Sequence, residues 1–261
     1  MTEHVTEQRD GNIATITLDR AEAGNALTQG MLSRLEEIGR EIAACDDIRA
    51  VVIRAAGDNF SYGMDIKGMG GGGERSLLAR RHEAELGGRM MRSLQNIPQP
   101  VVCAVQGVAT GGAACIATAA DFRVASSDAR LGYGEVKLGI NLMWNALPVC
   151  VHLVGPARAK QLIMSGRFVD AATLLQWGLL DEVCERGELD ARAAAWAAEY
   201  AALPPLAVRM IKRSVNRVSG ALDEAVMHAD ADQWMLAAGS EDFREAIAAF
   251  LDKREADFKG N

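Results

Sequence analysis

A chain of 261 residues, 49% hydrophobic and 24% charged, can bury a sizeable core and has the mix of a globular protein rather than a disordered one. A formal net charge of −7 excludes a general nucleic-acid binder, which needs a basic face, but leaves room for a small phosphorylated ligand held by a few local cations. The cysteines, Cys45, Cys103, Cys115, Cys150 and Cys184, are scattered without a CxxC pair, the pattern of reduced thiols in a cytoplasmic protein rather than of a disulfide framework or zinc site.

The opening MTEHVTEQRD is polar, and no apolar run approaches the ~18 residues of a membrane span. The expectation is a cytoplasmic chain with no membrane partner. Ile13 to Leu18 alternates as a strand and is expected to pair with the stretch around Val5 through a turn at Asp10–Gly11–Asn12. Thr28 is a candidate N-cap for a helix carrying Met31, Leu32, Leu35, Ile38 and Ile42 on one face. Ala50 to Ala55 reads as a buried strand, followed by turn residues from Gly57 to Gly63. Gly68 to Gly73 is nearly all glycine and is expected to be a mobile loop; no GK[ST] follows it, so it is not a phosphate loop. Ser76 to Gln95 reads as a long helix, Val101 to Val105 as a second buried strand and Phe122 to Ala125 as a third.

Strands alternating with helices predict an α/β core with parallel strands. After about Trp144 the segments read as helical: 146–154, 157–164, 191–200, and, beyond the joint at Pro204–Pro205, 206–218, 222–238 and 241–253. Ser240 is a candidate N-cap for the last.

Two strand-to-glycine transitions carry the chemistry. One is Phe60-Ser61-Tyr62-Gly63-Met64-Asp65-Ile66-Lys67; the other is Ala104-Val105-Gln106-Gly107-Val108-Ala109-Thr110-Gly111-Gly112-Ala113. Glycine permits tight turns that leave N–H groups facing outward. A helix starting at Gly112 would aim its unpaired N–H groups and positive dipole end at the same spot. Two such donors converging on one oxygen make an oxyanion hole. Either turn alone reads equally as packing; the pair, in this order and spacing, is specific.

With these segments, and with Asn25-Ala26-Leu27, Leu131 to Ile140 (LGYGEVKLGI), Val154 to Lys160 (VGPARAK) and Trp177 to Val183 (WGLLDEV), the chain resembles the enoyl-CoA hydratase/isomerase (crotonase) family from about Ile13 onward. The resemblance implies a spiral of ββα units in an α/β core over 1–200 and a helical trimerisation region over 201–261. It implies a homotrimer or a hexamer built as a dimer of trimers. It implies an acyl-CoA substrate, with coenzyme A as part of the thioester and no tightly bound cofactor or metal. It places the thioester oxygen between the N–H groups of Met64 and Gly112. CoA is expected at Ala26, Asp65, Ile66 and Lys67, and at Phe250 and Lys253 of a neighbouring subunit. Asp65 is also a candidate cap for the helix after the first turn.

Glu135 stands where the family places a catalytic glutamate, among Leu131, Gly132, Val136 and Leu138, whose apolar or small side chains favour a raised pKa. By local sequence alone it reads equally as a solvated glutamate. The departures are informative. Typical hydratases carry a second glutamate a few residues after the glycine pair; here Cys115 stands there, read as a small buried filler before a nucleophile. Met143 and Trp144 stand where many members have proline and glycines, and are expected to reshape the acyl pocket. Tyr62 replaces the usual alanine, to pack or to reach the site. His4, His82, His152 and His228 show no ligand spacing, and Arg80 and Arg81 read as a solvated helix face.

One carboxylate suffices to move a proton between carbons, as in double-bond isomerisation, whereas hydration is usually described with two. The sequence therefore favours an isomerase acting through an oxyanion-hole-stabilised enolate. The alternatives are enoyl-CoA hydration, acyl-CoA hydrolysis or C–C bond cleavage, and a non-catalytic acyl-CoA binder.

Overall fold

A computed structural model describes residues 4–66 and 76–261. Strand β1 (Val5–Asp10) turns back at Gly11 into β2 (Ile13–Leu18), antiparallel, with Val5 opposite Leu18. Helix α1 (Gln29–Ala43) starts where the Thr28 hydroxyl accepts the Met31 N–H at 3.2 Å. It buries Met31, Leu32, Leu35, Ile38 and Ile42, the face set by the sequence period. Strand β3 (Ala50–Ala55) follows, then α2 (Leu77–Gln95), capped by Ser76.

From there the chain repeats a strand, a second strand and a helix. Strand β4 (Val101–Val105) turns at Gln106–Gly107 into β5 (Val108–Thr110) and α3 (Gly112–Ala119). Strand β6 (Phe122–Ser126) leads to β7 (Arg130–Gly132), a 3-10 turn at Glu135–Leu138 and α4 (Ala146–Ser165). Then come β8 (Val169–Asp170), α5 (Ala171–Trp177), β9 (Glu182–Cys184) and α6 (Leu189–Ala201). The first strand of each repeat enters a six-stranded sheet ordered β1-β2-β3-β4-β6-β9, and the second a three-stranded sheet ordered β5-β7-β8. This partition is the expected spiral. All pairs of the large sheet beyond β1–β2 are parallel, so its central strands are covered on both faces and read as continuous apolar runs. Val51, Ile53, Cys103 and Val105 face the main core, while Ala50, Val52, Val102 and Ala104 face Ala193, Ala197 and Ala201 of α6. Alanine every fourth residue lets that helix approach the sheet closely.

The remaining helices are α7 (Pro205–Ser219), α8 (Glu224–Met227), α9 (Asp230–Ala238) and α10 (Glu241–Asp252). Two sequence expectations are corrected. The segment after Trp144 is not wholly helical, since β8 and β9 lie in it; with β5 and β7, these strands are too short to show a period. The two helices expected over 146–154 and 157–164 are joined as α4 with a kink between them at Gly155, whose φ is +76°, just before Pro156, as the gap between those ranges implies. The helix expected over 222–238 breaks between α8 and α9, leaving Asp230 at the start of α9, where a carboxylate suits the helix dipole. Helix α9 folds back on α2, tied by an Arg81–Asp232 ion pair of 2.8 Å. No helix among the described residues is long and apolar enough to cross a membrane. The glycine run lies outside the described residues.

Candidate active site

The two glycine turns come together through their backbones. Ser61 N–H donates to the Val108 carbonyl at 3.0 Å and Thr110 N–H to the Ser61 carbonyl at 3.2 Å. Leu27 N–H bonds the Gly63 carbonyl at 2.8 Å and Asp65 N–H the Leu27 carbonyl at 2.9 Å. That pairing uses the groups on either side of Met64 and leaves the Met64 N–H with no bonded acceptor among the described residues. Gly111 adopts φ +56° and ψ −125°, a conformation open to glycine. It starts α3 at Gly112, whose first-turn N–H has no intrahelical acceptor. Neither N–H has a bonded acceptor among the described residues.

Buried polar groups set this geometry. The Ser61 hydroxyl donates to the Asn25 carbonyl at 2.7 Å and accepts the Gly63 N–H at 3.1 Å. Asn25, at φ +52°, donates to the carbonyls of Ala56 and Asn59 and accepts the Arg20 N–H. Asn59 in turn accepts the Val108 N–H at 2.9 Å. Sequence reasoning used Asn25 and Ser61 as anchors of resemblance and missed this supporting role. Asparagine's tolerance of left-handed backbone was the available signal.

Glu135 opens the 3-10 turn between Gly134 and Gly139. A Cβ on Gly111 would stand 3.3 Å from Glu135 Oε1, so the carboxyl lies beside the residue that precedes the Gly112 N–H. Its Oε2 is buried and has no hydrogen-bond partner among the described residues. Burial pushes the carboxyl up to about 7, with its own backbone N–H offsetting part of the effect. A carboxyl with a pKa near neutrality, the range suited to carrying a proton, thus lies beside the turn that starts α3.

Cys115 lies in α3 and is buried. Burial, with the carboxylate of Glu135 and the Cys150 thiol nearby, pushes its thiol well above the ordinary value. A nucleophile needs the opposite shift. Tyr133, whose hydroxyl lies 3.3 Å from that of Thr118, and Cys150 fill the same interior.

Trp144 lies across the start of α3. A Cβ on Gly112 would stand 2.6 Å from its Cη2, and a Cβ on Gly87 of α2 would overlap its pyrrole edge. Gly87 thus has a reason to sit inside a helix, where glycine costs about 1 kcal/mol relative to alanine. Trp144 and Asn145 both have φ +62°, a pairing that costs non-glycine residues roughly 1–3 kcal/mol each. Met143 is buried beside them. Tyr62 lies with its ring on Gly24 and is half exposed.

On the other rim, the Ala26 carbonyl and Asp65 carboxylate both accept from Arg20, at 2.8 and 2.9 Å. Asp65 and Ile66 are half-buried, and Lys67 lies outside the described residues. Phe250 is exposed near the end of α10, and Lys253 follows as its left-handed C-cap. Arg81 is paired with Glu85 and Asp232. Among the described residues no group of three His, Cys, Asp or Glu side chains is placed to hold a metal ion.

The sequence profile of the enoyl-CoA hydratase/isomerase family matches residues 8–261. A short-chain-enoyl-CoA hydratase of Clostridium acetobutylicum is 32% identical over 253 residues, covering 97% of this chain and 96% of that protein. A 1,2-epoxyphenylacetyl-CoA isomerase of Escherichia coli is 28% identical over the whole of both chains. The crystal structure of an enoyl-CoA hydratase from Mycobacterium avium subsp. paratuberculosis superposes with a TM-score of 0.89 at 25% identity, over 98% of each chain.

Proposed function

The chain belongs to the enoyl-CoA hydratase/isomerase family, and on that premise we propose that it acts on an acyl-CoA thioester by moving one proton between carbons through a bound enolate. The thioester oxygen sits between the Met64 and Gly112 N–H groups. The Glu135 carboxylate takes a proton from the carbon next to the carbonyl, and the electron pair moves onto that oxygen. The two preorganised donors stabilise the charge; removing one such donor costs ~3 kcal/mol in other enzymes. The same carboxyl then returns the proton to the far end of the allylic system, shifting the double bond.

The observation that carries this reading is a buried carboxyl of pKa about 7, its Oε2 without a partner among the described residues, beside the residue that precedes the Gly112 N–H. Cys115, at the position of the second hydratase glutamate, favours isomerisation. CoA runs along Ala26, Asp65, Ile66 and Lys67, and Tyr62, Cys115, Met143 and Trp144 shape the acyl end. Residues 1–200 form the catalytic core. Residues 201–261 mediate a homotrimer or hexamer, in which Phe250 and Lys253 reach a neighbour's CoA. The exposed stripe of Ile211, Val215, Val218 and Leu222 supports assembly.

Hydration is the second reading, favoured by relatives described as a short-chain-enoyl-CoA hydratase and a crotonyl-CoA hydratase. The test incubates the protein separately with a 3-enoyl-CoA and with crotonyl-CoA. Migration of the double bond to the 2-position with slow water addition is expected. Fast hydration of crotonyl-CoA without migration overturns the isomerase reading.

A further inference from the structure

Trp144 lies between the reacting centre and a pocket at the junction of α2 with the α8–α9 segment. The edge of its six-membered ring lies on Gly112 and its pyrrole edge on Gly87, so the indole spans the space between α3 and α2. Behind it lies a pocket of about 180 Å³, walled by Trp144, Met143, Met227 and Ala231, with Asp230 at its side and the exposed Arg92 and His228 at its solvent edge. At ~30 Å³ for each water-sized group, that space takes about six such groups.

The ring is fixed from both ends. Neither helix carries a side chain where it lies, and its left-handed backbone is held from the C-terminal helices. Asp230 accepts the Asn145 N–H at 2.7 Å, while the Asn145 amide reaches toward the Gly88 carbonyl at 3.5 Å. Any acyl group whose carbonyl oxygen bonds the Gly112 N–H must leave the carbonyl beside the indole, because the ring touches the neighbouring Gly112 Cα.

We propose that Trp144 is a plug that confines the site to short acyl chains, and that Asp230 is the positioning residue that keeps it closed. The proposal rests on the acyl-CoA reading above. A chain of a few carbons ends beside the ring. A longer one has to displace the ring to reach the pocket, and doing so breaks the packing on two glycines and the Asn145–Asp230 bond together.

The experiment measures dissociation constants of the saturated, unreactive butyryl-CoA and decanoyl-CoA by calorimetry, with turnover of the matching enoyl-CoAs in parallel. The native protein is expected to bind decanoyl-CoA about tenfold or more weaker than butyryl-CoA. Trp144→Ala is expected to remove that discrimination, with Trp144→Phe intermediate; the phenyl ring keeps the variant folded if alanine does not. Asp230→Ala is expected to shift the chain-length ratio in the same direction, a readout that general destabilisation would not move. Equal affinity of the native protein for both chains, or a parallel loss for both in Trp144→Phe, overturns the plug. Failure of the native protein to bind either thioester overturns the acyl-CoA reading instead.

Discussion

From the point where its missing Cβ would stand, Gly63 is 3.5 Å from the backbone nitrogen of Gly112 and 2.6 Å from the Thr110 carbonyl oxygen. The two donors of the hole therefore belong to one continuous backbone surface, and its spacing depends on residue 63 having no side chain. The φ of +80° at Gly63 adds a second reason for glycine.

Gly63→Ala is accordingly expected to move the Met64 N–H away from the Gly112 N–H. Losing one donor corresponds to a fall in kcat of roughly 100-fold or more. Binding of CoA lacking an acyl group should change little, because no oxyanion is involved. Steady-state kinetics with parallel CoA titrations measure both. A variant that keeps native kcat would remove Met64 and Gly112 from the mechanism.

The pH profile follows from Glu135. Proton abstraction needs the ionised carboxylate, and burial holds its pKa at about 7. The logarithm of kcat/KM should thus rise with unit slope at acid pH and level off above about 7. Glu135→Gln should abolish turnover while leaving acyl-CoA binding in place. A flat profile from about pH 5 to pH 9 would point to another base.

The same shift predicts a stability effect of opposite sense to catalysis. The folded-state value lies above the ordinary 4.5, so between these two values the native state holds the proton more tightly than the unfolded chain. Stability from this group is full below about 4.5, falls as pH rises through 7, and is lower by up to ~3 kcal/mol above that. Glu135→Gln removes the ionisation. It should raise the denaturation midpoint at alkaline pH and leave it nearly unchanged at acid pH. Urea melts at two pH values test this; equal effects at both would mean that the carboxyl is solvated.

Much of this site was legible in the sequence because its signals are local. Thr28 and Ser240 cap helices as their residue types and the following periodicity predict. The glycine turns mark backbone positions that no other residue adopts cheaply. What escaped is non-local. Gly87 inside α2 is unfavourable by propensity and makes sense only once Trp144 arrives from more than fifty residues away. Asp230 reads as a surface aspartate until the break between α8 and α9 turns it toward Asn145. Strands β5, β7, β8 and β9 span two or three residues each, too few for a period, and are set by pairing across the small sheet or at the edge of the large one.

Cys115 provides a test of the choice between reactions. Its thiol is buried and pushed upward, so Cys115→Ala should leave kcat unchanged and cost about 1 kcal/mol of stability through the small cavity. Cys115→Glu brings a second carboxylate to the position where hydratases carry one. It should raise water addition to crotonyl-CoA relative to double-bond migration. Product ratios by chromatography decide; a loss of all turnover in Cys115→Ala would instead give the thiol a chemical role.

Assembly is the last expectation, and the exposed face of α7 carries it. Ile211, Val215 and Val218 are 63%, 58% and 82% exposed, and their spacing places them along one side of α7, with Leu222, 81% exposed, in the turn just beyond its end. A stripe of this kind on an isolated chain marks a protein contact. Sedimentation should accordingly give three or six times the monomer mass. Ile211→Glu sets a charge in that stripe, and burying it unpaired would cost several kcal/mol, enough to shift the mass toward one copy. If Phe250 and Lys253 reach the CoA of a neighbour, the dissociated variant should show a higher KM with kcat largely kept, since Glu135, Met64 and Gly112 all come from one chain. A native protein that sediments as a monomer at micromolar concentration would leave the stripe without this role and take Phe250 and Lys253 out of the binding site.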